Sequence, residues 1–494
     1  MPDLPNLTDS ERLRVAANPS RFIWFRIFFN CRFYYPVYAI MFLDFGLSEE
    51  QFAYLNVAWA LSIVLLEVPS GALADQLGRR TLVVLAAVLM VIEMLVLLLM
   101  PVVDKAGLGG DPEALERAVW ILFGVFCINR VVSGAAEAAA SGADEALAYD
   151  SLPEDDRDGR WSRLMVTLMK RQSIGFVAVL IIGAAVYDPE SVNRAAGWLG
   201  IEREFTQAET LKFPILLNLG MAIGTLLIAL RLYEPNSLRP KCDLPLAQSI
   251  RQSFRRTFRA GGWILKTPVA LMLLLVGLFY DSIIRLYYTV NSIWFEVIGF
   301  EPRWFGFISV AGSLTGIAAA TLGGRLVEKR SPSFNFGLLS VFTFVGMVSL
   351  AFPIQYWSVM FLPGLWMGMR LLHFFLSTYL NRVTPSENRA TVLSFRGLSM
   401  NLSYGLLTWA YGLQMAFLRE RMAPENAGAF SEAEQEAFSR TVFSEAVSWW
   451  WIWFVIAVIG LALFRHFKIG RTWNELLAKP SISADVEEPT TTER

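Results

Sequence analysis

The chain has 494 residues, of which 54% are hydrophobic and only 18% are charged, and its mean hydropathy is +0.44. This composition excludes an ordinary soluble domain, in which about a quarter of the residues are charged. The formal net charge of −1 gives no reason to expect a nucleic-acid partner. Three cysteines and two histidines, without a C-x-x-C pair, suggest neither a disulfide framework nor a structural zinc site, and we expect no cofactor.

Apolar segments long enough to cross a bilayer recur along the chain. The segment TLVVLAAVLMVIEMLVLLLM, from Thr81 to Met100, has the roughly 20 residues that a transmembrane helix needs. By this criterion the chain has twelve candidate spans, at residues 22–44, 51–74, 81–102, 117–140, 163–186, 213–232, 267–290, 303–327, 334–354, 356–380, 387–416 and 447–467. The sequence therefore predicts an all-α integral membrane protein with twelve transmembrane helices.

The distribution of Lys and Arg predicts the orientation in the membrane. If the N-terminus is cytoplasmic, more than half of the 43 Lys and Arg residues fall in cytoplasmic segments. Positively charged loops stay inside, so we expect both termini to be cytoplasmic and the protein to lie in the inner, or plasma, membrane. The polar start MPDLPNLTDSE does not resemble a cleaved signal peptide, so we expect the first apolar segment to remain as the first span.

A polar stretch at residues 233–266 separates the sixth span from the seventh. Within it Ile250, Phe254 and Phe258 recur every four residues, and four arginines cover much of the remaining surface: Arg251, Arg255, Arg256 and Arg259. This pattern predicts a basic amphipathic helix on the inner membrane surface. We favour a linker held by anionic lipid over an element that binds a protein partner.

The chain is thus predicted to have five parts. They are a cytoplasmic tail (1–20), a six-helix bundle (21–232), the linker (233–266), a second six-helix bundle (267–467) and a tail (468–494). The last segment ends in SISADVEEPTTTER, a polar composition that predicts disorder.

Short motifs recur in the two halves. GALAD (71–75) ends the second span and GRLVE (324–328) ends the eighth, while PEDDR (153–157) precedes the fifth and PSENR (385–389) precedes the eleventh. The agreement predicts two pseudo-symmetric six-helix bundles, the layout of many transporters built around a central site.

The second repeat also predicts where two helices begin. Thr384 with Glu387 makes a T-x-x-E capping box, and Ser151 with Glu154 makes a similar S-x-x-E pair. We therefore expect the eleventh and fifth spans to begin sharply, with the positive ends of their dipoles at the cytoplasmic surface.

The loop between the second and third spans carries charges opposite to those that helix dipoles favour. Asp75 lies where one helix should end, and Arg79 and Arg80 lie where the next should begin. The segment resembles the motif G-x-x-x-D-R/K-x-G-R-R/K of the major facilitator superfamily, with five residues at matching positions: Gly71, Asp75, Gly78, Arg79 and Arg80. Gln76 departs from the basic residue of that motif.

A second segment carries the same resemblance. In the fourth span, RVVSG is similar to the family motif R-x-x-Q-G, with Arg130 and Gly134 in place and Ser133 replacing the glutamine. The phrases EVPSG, SGADEALAYDSL and PSENRATVLS resemble a bacterial branch of that superfamily. The resemblance covers nearly the whole chain and implies the superfamily's fold of two six-helix bundles.

The resemblance implies a conformational switch at the loop. In such proteins the loop carboxylate docks on the start of the eleventh helix when the cytoplasmic side is closed, which here would bring Asp75 to the segment from Thr384 to Arg389. An anion at a helix N-terminus is favourable. Gly71 and Gly78 would allow a close approach and a tight turn. The alternative is that Arg79 and Arg80 only anchor the loop on the positive side of the membrane.

Ionisable residues inside the spans are candidates for the substrate or proton pathway because charges in hydrocarbon are costly. Asp281 and Arg285 lie one turn apart in the seventh span, either as a self-neutralising ion pair or as a protonatable carboxylate with its neighbour. The remaining cavity candidates come from the first and tenth spans: Arg32, Arg370 and His373.

The fourth span places Arg130, Glu137 and Asp144 seven residues apart on one face, among small residues that favour helix packing. For Arg130 we favour a role in binding an anionic group or in modulating a proton site. For Glu137 and Asp144 we favour structural pairing with cytoplasmic arginines, and Glu137 is also a candidate for the pathway. Glu93 lies in the middle of the third span with no evident partner.

These features favour a secondary active transporter that moves a small solute by alternating access, with protons as the default driving ion. The chain lacks the nucleotide-binding motif G-x-x-x-x-G-K-S/T. One alternative is a transporter-like receptor that binds without flux. A less favoured alternative is a membrane-embedded enzyme of the acyltransferase type, for which His373 and His466 show no neighbouring acid in the sequence. We expect a monomer that is not an enzyme.

Overall fold

A computed structural model describes residues 8–103, 111–236, 244–385, 389–424 and 430–477, and within these ranges the chain forms helices and no strands. In the first half the helices are α1 (Asp9–Ala16), α2 (Asn18–Asn30), α3 (Tyr38–Asp44), α4 (Glu49–Leu77), α5 (Arg79–Leu99), α6 (Pro112–Ala140), α7 (Ala143–Asp150), α8 (Arg157–Tyr187), α9 (Pro189–Trp198), α10 (Gln207–Thr210) and α11 (Phe213–Arg231). The linker contains α12 (Leu246–Lys266). The second half has α13 (Pro268–Val297), α14 (Pro302–Lys329), α15 (Pro332–Ala351), α16 (Pro363–Val383), α17 (Arg389–Met422), α18 (Glu432–Ser448), α19 (Trp450–Lys468) and α20 (Trp473–Leu477).

Each of the twelve predicted spans coincides with a helix or, for the first, with a pair of helices. Ten helical segments among the described residues are long and apolar enough to cross a membrane. The other two predicted spans are the first, divided between α2 and α3, and the eleventh, α17, which has 34 residues but lies outside that set.

The interruption of the first span has a local cause. Pro36 lies in a single 3₁₀ turn between α2 and α3 and has no N–H to donate. In the same break, the backbone N–H of Phe33 donates to a side chain, Asn218 Oδ1 of α11, at 2.6 Å. The first span is therefore fully broken at this point, and Arg32 in the break is only 2% exposed.

The molecule has two ends that matter for its chemistry. We call the end that carries α1, α12 and α20 the linker side and the opposite end, with the loops at 44–49, 188–212 and 298–302, the far side. The first half packs through α4 and α5 against α6 and through α11 against α2 and α5. The second half packs through α16 against α13, α14 and α15. Between the halves, α4 packs on α17 and α8 packs on α14.

The linker helix α12 is present, but the face that it buries is not the apolar face predicted from the sequence. It contacts α4 of one half and α17 of the other. Its buried residues are mostly small: Ser249, Thr257, Ala260, Gly261 and Ile264. Phe258, part of the predicted apolar face, is 64% exposed. The helix therefore packs against both halves where α4 meets α17. The small residues on its buried face let it approach these two helices closely.

Both ends of the described chain are tied to the linker side. The Tyr233 hydroxyl donates to Oε1 of Glu11, a residue of α1, at 2.6 Å. This hydrogen bond, together with those from Thr8, lowers the pKa of Glu11 to about 2. The predicted disorder of residues 468–494 is wrong for its first part. Trp473 and Leu477 are buried, and Arg382 donates to the Leu477 carbonyl at 2.8 Å. Residues 478–494 lie outside the described residues.

The capping box predicted at Ser151 does not form. The Ser151 hydroxyl donates to the Leu147 carbonyl at 2.7 Å, and Ser151 ends α7 rather than starting the next helix. Helix α8 begins instead at Arg157, the last residue of the PEDDR repeat. Thr384 ends α16, with its hydroxyl donating to the Leu380 carbonyl at 2.7 Å. Glu387 lies outside the described residues, so the capping box at Thr384 stays a prediction.

Candidate functional site

The first half contributes a buried cluster of two arginines around one carboxylate. Glu93 of α5 is fully buried, and its two oxygens lie 3.1 Å from Arg32 Nη1 and 3.1 Å from Arg130 Nη2. Arg130 also donates to the Tyr38 hydroxyl at 3.2 Å and to Asn129 Oδ1 at 3.1 Å. Buried charges are tolerated when they are paired in this way, so the two guanidinium groups are fixed in position.

Glu137 extends this cluster toward open space. Its side chain is 35% exposed, and its Oε1 lies 4.0 Å from Arg32 Nη2. The next acidic residue of the predicted stripe behaves differently, because the chain turns after α6. Asp144, in α7, is buried against Arg26 at 2.9 Å. The stripe therefore divides into a pair that faces the interior, Arg130 and Glu137, and a separate ion pair near the linker side.

The second half contributes a cluster around Asp281 of α13. Asp281 is fully buried; its Oδ2 contacts the Arg285 guanidinium, and its Oδ1 lies 3.2 Å from His373 Nε2 of α16. Arg285 also donates to Asn401 Oδ1 at 2.8 Å and lies over the ring of Tyr404 at 5.0 Å. The ion pair predicted from the i,i+4 spacing is present. The contact with His373 joins residues that are far apart in the sequence.

Arg370 differs from the other interior arginines. It lies one turn before His373 on α16, is exposed, and makes no ion pair with any residue that the structure describes. A side chain at Gly316 of α14 would lie 3.5 Å from Arg370 Nε. This is an ordinary contact distance, so Arg370 packs beside α14.

These clusters line one central cavity between the halves, with a volume of about 500 Å³. Six of the seven predicted pathway residues line it: Arg32, Arg130, Glu137, Arg285, Arg370 and His373. Asp281 is not part of the lining and lies behind it, in contact with two residues that are. The volume falls in the range of sites for small organic molecules.

The far side of the cavity is sealed by contacts between the halves. The Ser292 hydroxyl of α13 accepts from the backbone N–H groups of Ala39 and Ile40 at 3.1 and 3.3 Å. A Cβ at Gly306 of α14 would lie 2.4 Å from the Leu180 carbonyl oxygen of α8, so the two backbones are in direct contact there.

Charged side chains reinforce this seal. Arg419, in the last turn of α17, contacts Glu49 and lies 2.7 Å from Glu50, both in the first turn of α4. Each charge also suits the dipole of its own helix. Arg303 lies 2.6 Å from Glu190 across the same side, but Glu190 is more than half exposed, so this pair contributes little.

Exposure within the cavity increases toward the linker side. Asn291 and Phe295, which line the part nearest the far side, are 8% and 1% exposed. The side chains of Glu137 and His373, nearer the linker side, are 35% and 45% exposed. The cavity is therefore closed at the far side and accessible from the linker side.

Among the described residues, no group of three or more His, Cys, Asp or Glu side chains is placed to hold a metal ion.

The comparisons with known proteins agree with this architecture. The family model of the Major Facilitator Superfamily matches residues 22–408. The chain belongs to this superfamily. The predicted recognition and the fold class of two six-helix bundles are thereby confirmed, and membership supports a multi-pass membrane protein that acts as a transporter.

Solved structures of superfamily members share the fold. A bacterial homologue of the human lysosomal transporter Spinster, inward-facing and unoccupied, has a TM-score of 0.66 and 17% identity, covering 96% of this chain and 100% of that chain. The nucleoside transporter NupG gives a TM-score of 0.60 and 10% identity, covering 92% and 99%. A D-xylose-proton symporter gives 0.51 and 16%, covering 90% and 96%. No curated protein matches the chain significantly.

The superfamily loop motif has partners in the first half and in the start of the linker. The backbone N–H groups of Arg79 and Arg80 donate to the two carboxylate oxygens of Glu234, each at 3.1 Å, so this anion caps the start of α5. Arg80 also donates to the Leu232 carbonyl at 2.7 Å, near the end of α11, and Arg79 contacts Asp150. The unfavourable placement of the two arginines is thus compensated by groups distant in sequence.

The proposed switch is only partly covered by the described residues. Asp75 is exposed and makes no hydrogen bond or ion pair with a described residue. Gly78 has a φ of +93°, which explains the need for glycine at the turn. An added Cβ at Gly71 would meet nothing within 4 Å, so the expected close approach at Gly71 is absent here. Residues 386–388 lie outside the described residues, so docking of Asp75 on the start of α17 remains a prediction.

Sequence reasoning missed three residues that organise these sites. The sequence does not reveal the partners of Glu93, because Arg32 and Arg130 come from segments distant in the chain. Glu234 lies in the polar linker and has no sequence signal for capping α5. Arg419 could have been matched to Glu49 and Glu50, because anions at the start of a helix attract a cation from another helix.

Proposed function

We propose that the chain is a secondary active transporter that moves a small solute by alternating access, and that the structure corresponds to the state open on the linker side. The observation that carries this proposal is the cavity of about 500 Å³ between the halves, sealed on one side and accessible from the other. In such a mechanism the same cavity is exposed in turn to each side as the halves rock about it.

We further propose that Glu137 is the carboxylate that couples transport to protons. Both oxygens of Glu93 contact arginines, and the two oxygens of Asp281 contact Arg285 and His373. Glu137 instead faces the cavity, with Arg32 at 4.0 Å as its nearest cation. It can therefore gain or lose a proton from the accessible side without breaking a close ion pair.

Flux in proteoliposomes tests both parts. Wild-type protein is expected to accumulate its solute when a pH gradient is imposed. Glu137→Gln is expected to lose accumulation but to retain exchange of solute across the membrane, because binding and rocking do not require the proton. Asp281→Asn is the matched comparison and is expected to impair exchange itself. Gradient-driven accumulation by Glu137→Gln at the wild-type level would contradict the assignment.

The orientation and surroundings form part of the proposal. We propose that the linker side is cytoplasmic, that the protein lies in the inner or plasma membrane as a monomer, and that α12 binds anionic lipid through its exposed arginines, Arg251, Arg255, Arg256 and Arg259. Labelling of a single cysteine at Arg256 in intact cells and in inverted vesicles tests the orientation. Reaction in inverted vesicles alone is expected.

The same flux assay separates the two alternatives. A receptor would bind the solute and show no exchange. An enzyme would release a chemically altered product. The contact of His373 with Asp281 supplies the acid that the sequence did not reveal, but Asp281 is shared with Arg285, and transport remains the function that the cavity supports best.

A further inference from the structure

The charges that line the cavity are balanced on one wall and unbalanced on the other. In the first half, two cations, Arg32 and Arg130, are matched by two carboxylates, Glu93 and Glu137. The charges of these four groups sum to zero, so this wall has no net charge that would attract a charged solute. A ligand that met only this wall would gain no strong electrostatic attraction.

The wall from the second half carries an uncompensated cation. Arg285 is neutralised by Asp281, whereas Arg370 projects beside the cavity without an ion pair to any described residue. Arg370 lies close to Tyr288, and Trp366 precedes it by one helical turn on α16. A planar guanidinium group with free N–H donors is suited to bind a carboxylate through two parallel hydrogen bonds.

Aromatic rings dominate the rest of the lining and come from both halves. They are Tyr34, Tyr35, Tyr38, Trp59, Phe176, Tyr288, Phe295, Trp366 and Tyr404. Rings of this number around a cavity of about 500 Å³ favour a flat apolar body that can stack in offset or edge-to-face contacts. Trp366 lies against Gly312 of α14, where an added Cβ would come within 3.0 Å of its ring, so this ring is held in place.

We propose that the cavity takes a monoanionic aromatic carboxylate, with its ring system between the aromatic side chains of the two halves and its carboxylate on Arg370. This inference rests on the proposed function and specifies the substrate class of that cavity. One anionic group matches Arg370, the cavity-lining arginine that has no ion pair with a described residue. A cationic solute would be repelled by Arg370 and would have to compete with Arg32 for Glu137, and a neutral solute would leave the charge of Arg370 unused.

Matched ligands test the proposal on the purified full-length protein. The probes are 2-naphthoic acid, 2-naphthamide and 2-naphthylmethylamine, which share a ring system and differ in charge, together with one-ring and three-ring carboxylates. Binding is measured by calorimetry and by thermal stabilisation in detergent. We expect the best carboxylate to bind at least about tenfold more tightly than its amide, the scale of a charge-assisted hydrogen bond, and the amine to bind most weakly.

Variants assign this preference to Arg370. Arg370→Gln is expected to remove the difference between acid and amide while the amide still binds, because the aromatic lining is unchanged. Arg370→Lys is expected to restore part of the difference. Arg160→Gln is the control, since Arg160 is 43% exposed on the linker side and pairs with Asp155 outside the cavity. Equal binding of acid and amide to the wild type, or failure of every aromatic carboxylate to bind, would overturn the proposal.

The outcome separates this proposal from the proposed function. Flux of a sugar or a cation by a protein that binds no aromatic carboxylate would retain transport and overturn the substrate class. Binding of the carboxylate with the predicted dependence on Arg370, but without flux, would support the substrate class and overturn transport.

Discussion

Replacing Glu93 with glutamine is expected to destabilise the protein by about 3–5 kcal/mol, the usual cost of breaking a buried ion pair by removing one partner. Glu93 is fully buried, and each of its oxygens lies 3.1 Å from a guanidinium nitrogen. Arg32 and Arg130 are 2% and 4% exposed, so water cannot replace the lost carboxylate charge. Hydrogen bonds from Arg130 to Tyr38 and Asn129 remain, which places the expected loss toward the lower end of that range.

The measurement is unfolding in detergent by heat and by denaturant. Glu137→Gln is the matched control, because it removes the same charge from the same cluster. Its side chain is 35% exposed and its closest cation lies 4.0 Å away. That variant is expected to lose less than about 1 kcal/mol, as partly exposed pairs do.

Equal stability of the two variants would refute this reasoning. It would mean that Glu93 does not neutralise the two arginines, and the charge balance assigned to the first wall of the cavity would be wrong. A loss confined to Glu93→Gln would support that balance.

Three further predictions concern the movement of the halves. Gly306→Ala places a methyl group 2.4 Å from the Leu180 carbonyl oxygen, so it is expected to open the far side, which lengthens the distance between spin labels across that side. Arg419→Gln removes the contacts with Glu49 and Glu50. This variant is expected to lengthen the same distance, but in a smaller fraction of the molecules. Asp75→Asn is expected to lower flux while changing stability by less than about 0.5 kcal/mol, since this carboxylate is exposed and unpaired with any described residue here.

The labels and controls follow from exposure and packing. Leu199 in the first half and Trp357 in the second are 79% and 66% exposed on the far side, so labels there perturb little. Gly337→Ala is the control for the glycine variant because its added methyl meets nothing within 4 Å. Unchanged distances in Gly306→Ala, or wild-type flux in Asp75→Asn, would contradict the respective predictions.

Much of the fold was predictable because hydrocarbon thickness fixes the length of a spanning helix. The positions of the spans and the division at residues 233–266 follow from this constraint and from the short repeats. The break of the first span could be expected from Pro36. The start of α8 could not be placed from the S-x-x-E pair, because Ser151 ends the preceding helix, where its hydroxyl bonds backward to the Leu147 carbonyl.

The residues of the site could be predicted from the sequence, but most of the ion pairs between them could not. Rare charges inside spans identified Arg32, Arg130, Arg285 and Arg370, because such charges are costly and face the interior. Which of them remains uncompensated depends on contacts between helices that are distant in sequence. The partners of Glu93 come from the break in the first span, for Arg32, and from α6, for Arg130.

The central claim is that one cavity is exposed alternately to the two sides, and a reversible lock on the far side tests it most directly. Ser292 Oγ lies 3.1 Å from the Ala39 backbone nitrogen, so cysteines at positions 39 and 292 can be joined by a short thiol cross-linker. The experiment uses a background in which the three native cysteines, Cys31, Cys127 and Cys242, are replaced.

The measurement is exchange of a bound solute across proteoliposomes, before cross-linking, after it, and after reduction. We predict that cross-linking stops exchange, leaves binding from the linker side intact, and is reversed by reduction. Exchange at the full rate in the cross-linked protein would contradict alternating access.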